Sequence, residues 1–72
     1  MEAVWETLTP REQVVVGRYC AGYEEPAIAA AEGIQPATVR HHMHRAMKKF
    51  QVEKRGRFRH LLRNWDFSAF DQ

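Results

Sequence analysis

An all-α fold of four helices around one small core is expected from three features of the sequence. Proline stands in the first turn of three segments (Pro10, Pro26, Pro36), glycine closes two of them (Gly22, Gly33), and apolar residues recur at helical spacing in between. At 72 residues the chain makes a single domain, with a core over 8–62 and an aromatic C-terminal extension over 63–72. Such a chain buries only roughly 60% of the surface its unfolded form exposes, so it gains from a partner.

The first helix begins at Thr9-Pro10-Arg11-Glu12, where threonine can cap, proline lacks an N–H that would have no partner there, and glutamate can return the cap. Val15, Val16, Tyr19 and Cys20 then form its inner stripe, with Trp5 and Leu8 expected to pack on it from upstream. Cys20 has no acid–base partner beside it and reads as a small core residue, not a reactive thiol. As the single cysteine it excludes an internal disulfide and suits a reducing compartment.

A second helix fits residues 24–32. Glu24 and Glu25 face the positive end of its dipole, and the run AIAAA is strongly helix-forming. Gly33 breaks it, and Pro36 opens a third helix over 36–51. Two helices separated by about three residues around a glycine make a helix-turn-helix, with small alanines permitting close approach and the glycine taking a left-handed backbone.

In the third helix Val39, Met43, Ala46, Met47 and Phe50 share one stripe, which is core. The other side presents Ala37, His41, His44 and Lys48, with Arg40 and Arg45 on its flanks, while His42 sits at the core edge. A fourth helix over 55–65 carries Phe58, Leu61, Leu62 and Trp65 at helical spacing, interleaved with Arg57, Arg59 and Arg63. Those four apolar residues are its dimer or partner surface where they do not pack on the domain. Beyond it Trp65, Phe67 and Phe70 are expected to fold back over Trp5 and the first helix, with a dimer or polymerase contact as the alternative.

Charge divides the chain. Residues 1–32 hold two basic and six acidic side chains, a balance of −4, whereas residues 33–72 hold nine basic and three acidic, a balance of +6. That asymmetry suits a polyanion on one side of the fold. Other classes fare worse. His41 and His44 are two metal ligands without a carboxylate or thiolate nearby, and the surrounding cations oppose a dication, so no metal or other cofactor is expected. No serine, cysteine or carboxylate on that face gives a histidine anything to activate, so the chain is not expected to be an enzyme and no catalytic residue is assigned. The start MEAVWETLTP lacks the basic segment of a signal peptide and no apolar run reaches the ~18 residues of a span. A cytoplasmic protein without membrane contact is expected. What remains is major-groove contact through the exposed face of the third helix, where arginine can grip guanine with two hydrogen bonds and histidine can donate to guanine or phosphate. Protonation of His41, His42 and His44 would add charge near DNA, so binding is expected to strengthen as pH falls through the histidine range.

The stretches LTPREQVVV, AG and IAAAEGIQPATVRHHMHRAMKKFQV together resemble the LuxR/GerE family of helix-turn-helix DNA-binding domains over about residues 8–62. The resemblance implies a stand-alone transcription regulator with a scaffold helix, a positioning helix, a recognition helix and a fourth helix used for dimerisation. It carries base contacts onto Arg40, His41 and His44, and phosphate contacts onto Thr38, His42 and Lys48; the flanking Arg45 and Lys49 complete the expected phosphate set. Double-stranded DNA and a second copy of the chain are the implied partners. The sequence departs from the family pattern at three places. Glu24, Glu25, Pro26 and Ala27 replace the polar cap and glutamate of the positioning helix, Gln35 replaces a serine cap, and Glu32 replaces a core leucine, so its stem is expected to cover the core while its carboxylate reaches solvent. VRHHMHRAMKKF is also similar to the end of region 4 of bacterial sigma factors, which brings RNA polymerase in as an alternative partner.

Overall fold

The computed structural model describes residues 2–67 and contains, among them, five α-helices: α1 (Glu2–Thr7), α2 (Pro10–Cys20), α3 (Glu25–Glu32), α4 (Pro36–Phe50) and α5 (Gly56–Leu61). The fold class is all-α, as expected. Helices α2, α3 and α4 pack on one another, and α5 closes the core from the side of α2.

Helix α2 starts as the capping box predicts. The Thr9 hydroxyl accepts the Glu12 N–H at 3.1 Å, and a Glu12 carboxylate oxygen accepts the Thr9 N–H at 3.0 Å. Its Val15, Val16 and Tyr19 are buried against Ile28 and Ala29 of α3 and Val39, Met43 and Ala46 of α4, while Met47 and Phe50 are half-buried at the edge of the same core. The stripe read from the third helix is therefore the core stripe. Cys20 is half-buried beside the core, and burial pushes its thiol up to about 11, against a smaller opposing pull from Arg59. It is a packing residue.

The turn between α3 and α4 is the short one the glycine requires. Gly33 adopts φ 66°, ψ 34°, and the Ile34 N–H closes back on the Ala29 carbonyl at 3.1 Å. The end of α4 repeats this geometry without a glycine. Gln51 sits at φ 58°, ψ 42°, and the Val52 N–H reaches the Met47 carbonyl at 3.0 Å. A side chain in this left-handed region crowds the following carbonyl, and Gln51 is exposed and holds nothing in compensation. Gln51→Gly is expected to stabilise the fold by about 1 kcal/mol, raising the melting temperature by about 4–8 °C. An unchanged or lower midpoint in thermal unfolding would show that the left-handed turn is not strained.

Two elements differ from the sequence reading. Residues 2–7 form a helix too short to stand alone, held by tertiary contacts. The Gln13 side-chain amide donates to the Trp5 carbonyl at 3.0 Å and the Lys49 ammonium to the Thr7 carbonyl at 3.0 Å. The last helix is shorter than expected and gives way to turns after Leu61. Arg59, on that helix, lays its guanidinium over the Tyr19 ring at 3.9 Å and donates to the Tyr19 carbonyl at 2.9 Å, latching α5 to the end of α2. Trp65 and Phe67 fold back on Trp5 as expected. They meet it edge-on with ring centroids at 5.5 Å and 5.8 Å, and Phe67 is buried. Phe70 lies outside the described residues.

The expected partner surface needs correction. Phe58 and Leu62 are fully buried within the chain, because the fourth-helix stripe is spent on the core and Phe58 also meets Phe50 edge-on at 5.3 Å. A partner can reach only Leu61 and Trp65, which are half-buried. Leu61 lines an open groove with Val4, Phe50 and Val52.

Candidate nucleic-acid interface

Helix α4 turns Val39, Met43 and Ala46 inward and leaves Arg40, His41, His44, Arg45 and Lys48 exposed, with Thr38, His42 and Lys49 at the margins. The helical-wheel division of the third helix is thus reproduced position by position. All these side chains belong to one 15-residue helix whose first turn contains no acidic residue and whose last turn contains Lys48 and Lys49.

Much of the basic half of the chain is nonetheless engaged by the acidic half. The Glu12 carboxylate, 1% exposed, receives Lys49 at 2.8 Å and Arg45 at 3.2 Å. Glu32 receives Arg18 at 2.7 Å and Arg11 at 2.8 Å. Glu24 receives Arg59 at 3.0 Å. The charge separation along the sequence is therefore partly cancelled in space, and the sequence reading overstated the free positive surface. Glu32 also departs from its expectation: its carboxylate does not reach out to bulk water but bridges two arginines of α2 and ties α3 to it, with 15% of its side chain exposed.

Among the described residues Lys48, Lys54 and Arg57 make no ion pair. Lys48 lies on the exposed face of α4; Lys54 and Arg57 follow it in the loop and the first turn of α5. Arg45 and Lys49, expected on phosphates, are held by Glu12 from the flank of the helix that faces α2. Arg45 remains 56% exposed, Lys49 only 30%.

Arg40 is the most exposed of the paired cations at 64%, yet it does not wave freely. Its guanidinium meets the Glu25 carboxylate across the helix-turn-helix, Nη2 to Oε1 at 3.1 Å and Nε to Oε2 at 3.4 Å. Arg55 donates to the same Oε2 from the other side at 3.2 Å. The Arg40 guanidinium, with lesser help from Arg55, holds the Glu25 carboxyl below its ordinary value of 4.5 despite the opposing effect of burial. Sequence reasoning gave Glu25 a role only at the helix dipole and gave Arg55 none. Their separations from Arg40 follow no helical period, so only the packing of α3 on α4 brings the three together.

The three histidines part company. His41 and His44 are exposed, and His42 is half-buried with its ring centroid 6.0 Å from that of His41. Burial first, then the neighbouring His41, Arg11 and Arg45 charges, lower the pKa of His42 below 6.5, outweighing the pull of Glu12. It resists charging in the range where the sequence reading expects it charged. Among the described residues no three histidine, cysteine or carboxylate side chains converge on a metal position, and no helix is long and apolar enough to cross a membrane.

The family model GerE, of the bacterial regulatory proteins of the luxR family, matches residues 6–61, from the end of α1 to the end of α5. The match spans the helix-turn-helix and the exposed face of α4, and the resemblance to sigma factor region 4 has no counterpart in it. No curated protein and no solved structure matches the chain significantly. The packing of α3 and α4, the glycine turn between them and the family match agree, and the chain belongs to the luxR family of bacterial regulatory proteins, helix-turn-helix domains that regulate transcription by binding DNA.

Proposed function

We propose that the protein reads duplex DNA sequence by placing α4 in the major groove, as a pair of identical chains. The observation that carries this reading is the uncovered face of α4, on which Arg40, His41, His44 and Lys48 stand on one helix held at a fixed angle by the glycine turn. Side chains of graded length on a rigid helix suit base edges, with Arg40, His41 and His44 as the readers. Thr38 and His42 at the margins, with Lys48, Arg45 and Lys49, are the phosphate contacts of the same reading. Lys48 supplies the phosphate attraction most directly, because no carboxylate competes for it among the described residues. The start of α4 adds to this, since neither a side-chain cap nor an acid neutralises its positive end.

Leu61 and Trp65 are the two of the fourth-helix apolar set left half-buried for a second copy, and pairing through them would present two α4 helices to one face of a duplex. Selection from a random duplex pool at about 0.15 M salt tests the proposal. An enriched inverted repeat with half-sites about one helical turn apart is the expected result. A pool that emerges as random as it entered would transfer the reading to a protein partner, with RNA polymerase first to be tried.

A further inference from the structure

Arg40 and Arg55 converge on one carboxylate, that of Glu25, from different elements: Arg40 from α4, Arg55 from the loop before α5, and Glu25 from the first turn of α3. Two guanidinium groups on one anion is also how proteins hold a DNA phosphate. Glu25 is 17% exposed in its side chain, whereas Arg40 and Arg55 are 64% and 45% exposed. The anion is the fixed member and the cations are the ones able to swing outward.

We propose that Glu25 is an acidic clamp on DNA binding, holding Arg40 and Arg55 in the free state as a phosphate would, so that a duplex must displace it before these arginines can bind and is bound less tightly for its presence. The inference rests on the reading of α4 as the DNA-reading helix. On random duplex, Arg40 exchanges one anion for another and gains little. At the preferred site it exchanges the carboxylate for two aligned acceptors on a base edge, and the exchange is favourable. Glu25 also stays behind as a negative charge beside the phosphates, a cost that both duplexes bear. Because Arg40 and Arg55 keep its carboxyl ionised well below neutral pH, the device is permanent across the physiological range and is not a pH switch.

Glu25→Gln keeps the shape and removes the charge. It is expected to raise affinity for random duplex by about two- to fivefold at 0.15 M salt, the equivalent of one released surface ion pair. Affinity for the preferred duplex is expected to rise by at least as much, because both complexes are measured from the same free state, in which the pair is intact. The plot of log affinity on random duplex against log salt should steepen by roughly 0.9 for each phosphate newly neutralised. A residue that merely braced the fold would not move that slope. In an Arg40→Ala background the gain from Glu25→Gln should shrink by at least half, since only Arg55 is then left to release. A gain undiminished in the Arg40→Ala background would reduce Glu25 to general charge and overturn the proposal, as would no gain or a loss on both duplexes, with far-UV circular dichroism reporting that the helices are intact. Arg40→Ala alone reports on base reading itself: an equal loss on both duplexes sinks that reading whatever Glu25→Gln does.

Discussion

Replacing Glu12 by alanine is expected to lower stability by about 3 kcal/mol, a large share of the roughly 4–10 kcal/mol available to a domain of this size. Three losses combine. The reciprocal half of the capping box disappears, leaving the Thr9 N–H without its acceptor, at a cost of about 1 kcal/mol. The buried stem of a side chain that is 1% exposed is replaced by space, at about 1–2 kcal/mol. The pairs with Lys49 and Arg45 vanish, each worth under about 1 kcal/mol because those cations are partly solvated and can return to water. Glu12→Gln, which keeps the shape and an acceptor, should lose about half as much. Denaturant unfolding of the two variants beside the parent separates the contributions; a loss under about 1 kcal/mol in Glu12→Ala would mean that α4 is not tied to α2 through this carboxylate.

The same residue predicts how the fold responds to acid. Burial alone would raise the Glu12 carboxyl, but the Lys49 ammonium, the Thr9 N–H and Arg45 together outweigh it and leave it below 4.5. Glu25 is lowered as well, chiefly by Arg40. A carboxyl whose folded value is depressed contributes stability that is fully present above its unfolded value and is lost as pH falls through the folded one. The stability of the parent should therefore be level with respect to these two groups above about pH 5 and decline below about pH 4.5, and in Glu12→Gln that decline should be shallower. Parallel acid declines in both proteins would place the titrating charge elsewhere.

How much of this was legible in the sequence depends on whether the signal was local. The capping box at Thr9 and Glu12, the left-handed Gly33 and the inward stripe of α4 are each settled within a turn or two of chain, and each appears where the residues place it. What escaped reading depends on contacts between distant segments. Helix α1 has six residues, and exists because Trp5 finds Trp65 and Phe67. Phe58 and Leu62 have the same periodicity whether their stripe meets a partner or the chain's own core, and only the packing of α5 decides for the core. The charge halves misled for a related reason, since a sum over sequence does not say which glutamate faces which arginine. On the candidate interface the exposed face was legible from the helical wheel, but the clamp on Arg40 was not, because Glu25 and Arg55 lie 15 and 15 residues away on either side of it.

Arg40→Ala is expected to weaken binding to the preferred duplex by about 10- to 100-fold while costing random duplex less than about threefold. The asymmetry follows from what the residue gives up. Leaving Glu25 forfeits an exposed pair worth under about 1 kcal/mol, so two hydrogen bonds to a guanine edge, at about 1–3 kcal/mol, leave a net gain only where that edge is present. Arg40→Lys sharpens the test. Lysine keeps the charge but loses the planar fork, so it should bind random duplex as the parent does and still lose most of the preference for the selected site. If Arg40→Lys instead keeps that preference while Arg40→Ala loses it, a point charge suffices and α4 is reading the groove's potential at this position, not a base. If Arg40→Ala weakens both duplexes alike, Arg40 is a phosphate anchor, and the burden of sequence reading passes to His41 and His44, the remaining exposed donors on that face.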